Sequence, residues 1–382
     1  MTLKKFNIKY LYYAYYVVCI IVLLNLITNT FPLVDGLFDQ IRHYLPLLGI
    51  LLIFTKKNLK FSPLLIVLVP LQLLAQSQRI PYDNFIYLII FYLLFNDENA
   101  DNFIKLHFYC LGIYTVLLSV SVFLGIIDPV EYYLGSRYRR SLSFGHPNML
   151  AMVLLSIHAC WFYLIERKHF KKKLPIKISL IVNILLCLFY YDTRTGALSL
   201  IFILFMVLSF DYLKRFFIEN INLFSIFRLS WILPILCLFI SLFLTVKFDI
   251  NINLFDKLNG LISGRLYLQQ GAFYKYGFPL FGEGLAFSAG GEITYDYVDA
   301  FYNAKIYEYG LLALCCFLLI ISFKLRAFLK NQSPTLALLL ISIMLIYCLE
   351  AFLEKETFSF MICPFLVYLF ISTNVKQGDS HE

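Results

Sequence analysis

The chain of 382 residues is 60% hydrophobic and 18% aromatic, with only 15% charged residues and a formal net charge of +8. Its mean hydropathy of +0.76 leaves too little polar surface to cover a water-soluble globule, so an all-α polytopic membrane protein is predicted. The positive charge does not point to nucleic acid, because the basic residues fall in short loops between apolar runs, where they set membrane topology.

A bilayer core of about 30 Å takes roughly 20 residues of helix. On that scale, spans are predicted in chain order at 11–28, 37–54, 61–76, 84–96, 103–127, 147–165, 175–191, 196–213, 230–247, 304–323, 334–352 and 358–373. That makes about twelve transmembrane helices in a single integral membrane domain, 1–382. The first span follows Lys4, Lys5 and Lys9 without a small-residue cleavage site and reads as an uncleaved signal anchor. The second contains Asp39, Arg42 and His43, and 84–96 is short, which leaves a tilted or re-entrant form open for each. The nine cysteines lie in apolar stretches without metal-ligand spacing, the pattern of buried hydrophobes, so neither disulfides nor a metal site is expected.

A cytoplasmic N-terminus places Lys56, Lys57, Lys60, the run 166–173, Lys214, Arg215, Lys324, Arg326 and Lys330 on one side, with both termini cytoplasmic. The opposite side receives 128–146, 192–195 and one large extracytoplasmic loop, 248–303. These outer loops are poor in lysine yet carry Arg137, Arg139, Arg140, Arg194 and Arg265, against the topological bias. Another role is therefore expected of those arginines.

Four outward patches follow. In R-Y-R-R-S-L-S-F-G-H-P-N, 137–148, the proline suits the first turn of a helix whose free N–H groups and neighbouring arginines would attract an anion. His146 there can also be read as a residue orienting the helix start by hydrogen bonding, and Asn148 as its support. D-T-R-T-G, 192–196, holds Arg194 in a tight turn between spans, where it either snorkels or makes a positioned contact. I-S-G-R-L, 262–266, opens a helix-like stretch with an aromatic stripe suited to the membrane surface. P-L-F-G-E-G-L, 279–285, and V-D-A-F-Y-N-A-K-I-Y-E-Y-G-L-L, 298–312, bring Asp299, Asn303 and Glu308 to the mouth of a span, where ionisable groups are costly and so are functional candidates. Glu350, Glu354 and Glu356 are flagged the same way, with Lys355 or a loop arginine as possible partners.

In that order, arginine before G-H-P-N, T-R-T-G-A, S-G-R, G-x-G and the asparagine-containing x-E-x-G-L-L helix resemble the O-antigen ligase and polymerase superfamily. The resemblance is greatest to the Wzy-type polymerases of capsular polysaccharide and exopolysaccharide, over about 135–315 by motif. It implies a GT-C-like glycosyltransferase in the bacterial cytoplasmic (inner) membrane, acting on undecaprenyl-pyrophosphate-linked oligosaccharide at the outer face, without cofactor or metal. Chain-length regulator and flippase proteins would be its partners, besides the lipid bilayer. Arg139 or Arg140, Arg194 and Arg265 match the family's diphosphate-binding arginines. Unlike the ligases, this chain has no histidine between His169 and His381, so Asp299 is the first choice of general base and His146 the second. A ligase of the same superfamily or a lipid-linked oligosaccharide flippase are the alternative readings.

Overall fold

The computed structural model describes residues 8–28, 32–56, 84–95, 99–134, 137–220, 224–225, 227–282 and 298–372. These residues form helices and one short hairpin, the architecture of an all-α protein. Among the described residues, six helices are long and apolar enough to cross a membrane: Gly36–Phe54, Ala100–Phe123, Pro147–Glu166, Arg194–Phe217, Arg228–Lys247 and Leu311–Asn331. Lys9–Asn25, Ile86–Phe95, Leu174–Phe189 and Pro334–Glu350 are apolar but shorter. The span expected at 61–76 lies outside the described residues, as do the side chains of Asp39 and Arg137.

The described residues group into two compact units, one drawn from within Met1–Phe61, Tyr87–Ser209 and Phe360–Glu382, the other from within Ser62–Ile86 and Phe210–Ser359. In the first unit, α1 (Ile8–Thr28) packs on α2 (Pro32–Phe54), and α3 (Asn84–Phe95) precedes α4 (Ala100–Phe123). A hairpin, β1 (Glu131–Leu134) and β2 (Arg137–Arg140), follows with Glu131 opposite Arg140. Then come α5 (Pro147–Glu166), α6 (Leu174–Phe189) and the start of α7 (Arg194–Glu219). Apolar on all sides, α5 is almost wholly buried, whereas α4 leaves Ile113, Val116 and Leu117 exposed as a lipid-facing helix does. Polar groups inside such a bundle must find partners. Tyr16 and Ser156 accordingly flank His107, Tyr16 Oη lying 2.5 Å from Nδ1 and Ser156 Oγ 3.1 Å from Nε2. At the far end of α5, Asp101 accepts hydrogen bonds from Tyr163 Oη at 2.5 Å and Arg167 Nε at 3.1 Å, tying α4 to α5.

In the second unit, α8 (Leu233–Lys247) is the hub. Packed on it are α10 (Arg265–Tyr276), α11 (Phe301–Tyr309), α12 (Leu311–Asn331) and α13 (Pro334–Glu350), while α9 (Asn253–Leu261) packs on α10. The chain closes with α14 (Pro364–Ser372), which belongs to the first unit and packs on α4. The loop expected over 248–303 thus contains two helices, α9 and α10, and its 283–297 lies outside the described residues.

The span expected at 304–323 is broken. Gly310 separates α11 from α12 with φ 94° and ψ 153°, a backbone region open in practice to glycine alone. The break lets the 279–282 strand of chain cover the first turn of α12: Leu311 N donates to Pro279 O at 2.9 Å and Leu312 N to Leu280 O at 3.2 Å. Two N–H groups that a helix start leaves without partners are satisfied this way. The approach is so close that a Cβ on Gly282 would overlap the Glu308 carbonyl, and one on Gly310 the Leu280 carbonyl. Gly310→Ala is therefore expected to cost at least about 1–3 kcal/mol in backbone strain and to lower the thermal midpoint of the detergent-solubilised protein. An unchanged midpoint would show that the break is not held by this contact.

Candidate functional site

The first two outward patches meet in one place. Pro147 starts α5 and His146 is its N-cap, with Asn148 N donating to His146 Nδ1 at 3.2 Å. Because Nδ1 accepts there, the neutral ring carries its proton on Nε2, the arrangement of a helix cap. Asn148 is buried, and its Oδ1 accepts from Arg139 Nη2 at 2.8 Å and from Thr193 Oγ1 at 3.0 Å. Arg139 also donates from Nε to Asp192 O at 3.1 Å. One amide therefore joins β2, the mouth of α5 and the D-T-R-T-G turn. Gly196 completes the junction, since a Cβ there would overlap that of Ala151 on α5.

Backbone strain gathers around this junction. Leu142, Ser143 and Asp192 adopt positive φ values of 46°, 61° and 49°. Each costs of the order of 1–3 kcal/mol and persists only where the surroundings demand it, a feature that concentrates at functional sites. Ser143 Oγ donates to Asp128 O and Ser141 N to Val130 O at 3.1 Å, which pins the strained turn to the residues before β1.

The arginines differ in how they are engaged. Arg139 is held on both of its acceptors. Arg140 lies between two aromatic rings, its guanidinium carbon 4.7 Å from the Tyr138 centroid and 5.1 Å from that of Tyr190. Its Nε donates to Tyr138 Oη at 2.8 Å and approaches Glu131 at 3.5 Å. The hydrogen bonds to Tyr138 and Tyr190 raise the pKa of Arg140, and the hydrogen bond to Glu131 raises that of Tyr138. Beside them runs a groove of about 660 Å³, walled by Phe123, Leu142, Tyr190 and Tyr191 and bearing Glu131 and Arg140. Arg194, the first residue of α7, is exposed and has no hydrogen-bond or ion-pair partner among the described residues.

Patches three and four meet in the second unit. Arg265 opens α10 and is buried, donating from Nη2 to Glu354 Oε1 at 2.6 Å and lying 3.5 Å from Asp299 Oδ2. Its Nη1 donates to Ile262 O at 3.2 Å. Asn303 on α11 donates from Nδ2 to Gln269 Oε1 at 2.5 Å and to Thr245 Oγ1 at 2.9 Å, linking α8, α10 and α11. Glu308 pairs with Lys305 at 2.6 Å, and Glu356 approaches the same ammonium at 3.7 Å.

Sequence reasoning passed over Gln269 and Lys305. Gln269 stands four residues after Arg265, so the two share a helix face, and an Arg and a Gln at that spacing were the available signal; both prove to be buried. Among the described residues no group of His, Cys, Asp and Glu is arranged to hold a metal ion. His146→Ala is expected to cost about 1 kcal/mol of stability through the lost cap, and His146→Asn to restore most of it, both read by thermal denaturation. No known family, curated protein or solved structure matches the chain.

Proposed function

We propose that the protein is a polysaccharide polymerase of the bacterial cytoplasmic membrane, with both termini cytoplasmic. It joins undecaprenyl-pyrophosphate-linked oligosaccharide units into a capsular or exopolysaccharide chain at the outer face. The observation that carries this reading is the Asn148 junction. It fixes an arginine-bearing strand, a helix N-terminus and an arginine-bearing turn against one another, with Arg194 exposed and available to an anion.

In the proposed reaction an acceptor sugar hydroxyl attacks the anomeric carbon of the donor. The new carbon–oxygen bond forms as the bond to the lipid diphosphate breaks, and the hydroxyl proton passes to a base. Arg194 and Arg140 stabilise the negative charge that grows on the leaving diphosphate, since a guanidinium fork matches phosphate oxygens. Arg139 and Asn148 hold those two arginines in place. The sequence offers Asp299 as that base; within the second unit Arg265, anchored on Glu354, lies 3.5 Å from its carboxylate. Arg265 already faces two carboxylates, so it would bind phosphate only by giving one of them up.

The test is elongation by the purified protein in liposomes, supplied with lipid-linked repeats and neither nucleotide sugar nor divalent metal. A ladder of longer lipid-linked chains is expected, lost in Asp299→Asn and kept in His146→Asn. Transfer of a finished chain to a different lipid acceptor, without a ladder, would replace the reading by a ligase. Loss of outer-face repeat units from a deletion strain would replace it by a flippase.

A further inference from the structure

In the second unit, the large hydrophobic side chains left exposed continue past the end of the membrane helix that carries them. On α8, Phe239, Phe243 and Val246 recur at a spacing of four and three residues, and are 62%, 60% and 42% exposed. That is the lipid-facing stripe of a spanning helix. The chain leaves α8 with Ile250 and Ile252 also exposed, then enters α9. There Leu254, Leu258 and Leu261 repeat the same spacing, and Leu254 and Leu261 are 65% and 61% exposed.

Apart from Phe255, which packs on Phe248, and Gly260, the rest of α9 is polar. Asn259 is buried and accepts from Tyr267 N at 3.2 Å, fastening α9 to α10, while Asp256 and Lys257 are exposed. An amphipathic helix tied to the protein through Asn259, with its leucines facing outward, must be covered by something. Fully burying one leucine is worth about 1.5–3 kcal/mol, so leaving several such side chains in water would carry a substantial cost. In a membrane-spanning α8, the lipid covering Phe243 and Val246 would lie at the start of the same stripe, a few residues away.

We propose that α9 lies in the lipid–water interface, with Leu254, Leu258 and Leu261 in the acyl region and Lys257 reaching the headgroups. Helices of this kind sit about 5–10 Å into the headgroup and acyl boundary, and a lysine stem at that depth extends to carry its charge outward. The helix also sets a height. Gly264 N donates to Asn259 O at 2.7 Å, so the turn from α9 into Arg265 is fixed, and Arg265 with Asp299 and Glu354 is held near the headgroup plane.

The experiment places tryptophan at Leu254, Leu261 or Asp256, one at a time, in full-length protein with Trp161 and Trp231 replaced by phenylalanine, reconstituted in liposomes. Leu254→Trp and Leu261→Trp should emit to the blue and be quenched severalfold more by lipids brominated near the headgroup end of the acyl chain than by aqueous iodide. Asp256→Trp should show the reverse. Equal iodide quenching at all three positions would overturn the proposal in favour of a solvated helix. Protection of the leucine positions from both quenchers would overturn it in favour of a protein surface, such as a second copy of the chain. The unaltered protein provides a second reading: a diazirine on the acyl chain of a bilayer lipid should label the peptide 250–262, and failure to label it would count against the proposal independently of the tryptophan variants.

Discussion

Arg194→Ala is expected to abolish the proposed chain elongation by the purified protein, while accumulation in the membrane and the thermal midpoint should stay where they are. The side chain is exposed and makes no hydrogen bond or ion pair among the described residues, so its removal breaks nothing in the fold. Surface substitutions of that kind stay within about 0.5 kcal/mol. The loss of rate should be large because the arginine is proposed to act on charge that develops only as the diphosphate leaves; removing one preorganised donor from such a site costs roughly 10²–10³ in turnover. Arg194→Lys should recover little, since a compact ammonium does not reproduce the planar fork. Elongation assays on lipid-linked repeats, alongside denaturation curves for the same preparations, check both halves. Wild-type rates in both variants would remove Arg194 from the diphosphate site.

Glu354→Ala should instead unfold the second unit more readily. Glu354 Oε1 lies 2.6 Å from Arg265 Nη2, and both side chains are buried. Breaking a buried pair by removing one partner leaves an uncompensated charge, at a cost of about 3–5 kcal/mol. Asp299 at 3.5 Å would offset part of that, so the lower end of the range is expected. Replacing both partners at once, Arg265→Met with Glu354→Leu, removes the stranded guanidinium but leaves Asp299 without its cation, so it should restore part of the lost stability without restoring elongation. The four corners of that double-mutant cycle, measured by thermal denaturation, separate the ion pair from simple loss of packing. A cycle with no coupling between the two positions would show that Glu354 does not anchor Arg265.

Most helices were legible in the sequence because a lipid-embedded helix needs a long apolar run and little else imitates one. The arginines were singled out because the expected topology sets them against the charge bias of the loops. What stayed hidden was which of them are already engaged. Arg139 reaches an acceptor 53 residues away and Arg265 one 89 residues away, and neither acceptor stands at a spacing that local periodicity reports. The break at Gly310 was hidden for a different reason. Residues 304–323 are apolar enough to read as one span, and only the backbone dihedral, with the 279–282 segment lying against it, shows that the helix starts again at Leu311. Glu308, read singly as a costly charge at a span mouth, is neutralised by Lys305 at 2.6 Å.

The contact of Gly196 with Ala151 bears on how tightly a ligand can be held. The Gly196 backbone seated directly against the Ala151 methyl, a small-residue seam, leaves the main chain at Arg194 little freedom to lose. When an anion binds, the ordering entropy falls mainly on one side chain, a cost of about 0.5–1.5 kcal/mol, and not on the turn that carries it. An arginine on a solvated loop would give up backbone freedom as well. Widening the seam, with a larger residue at either position, should therefore weaken anion binding even where Arg194 itself is untouched.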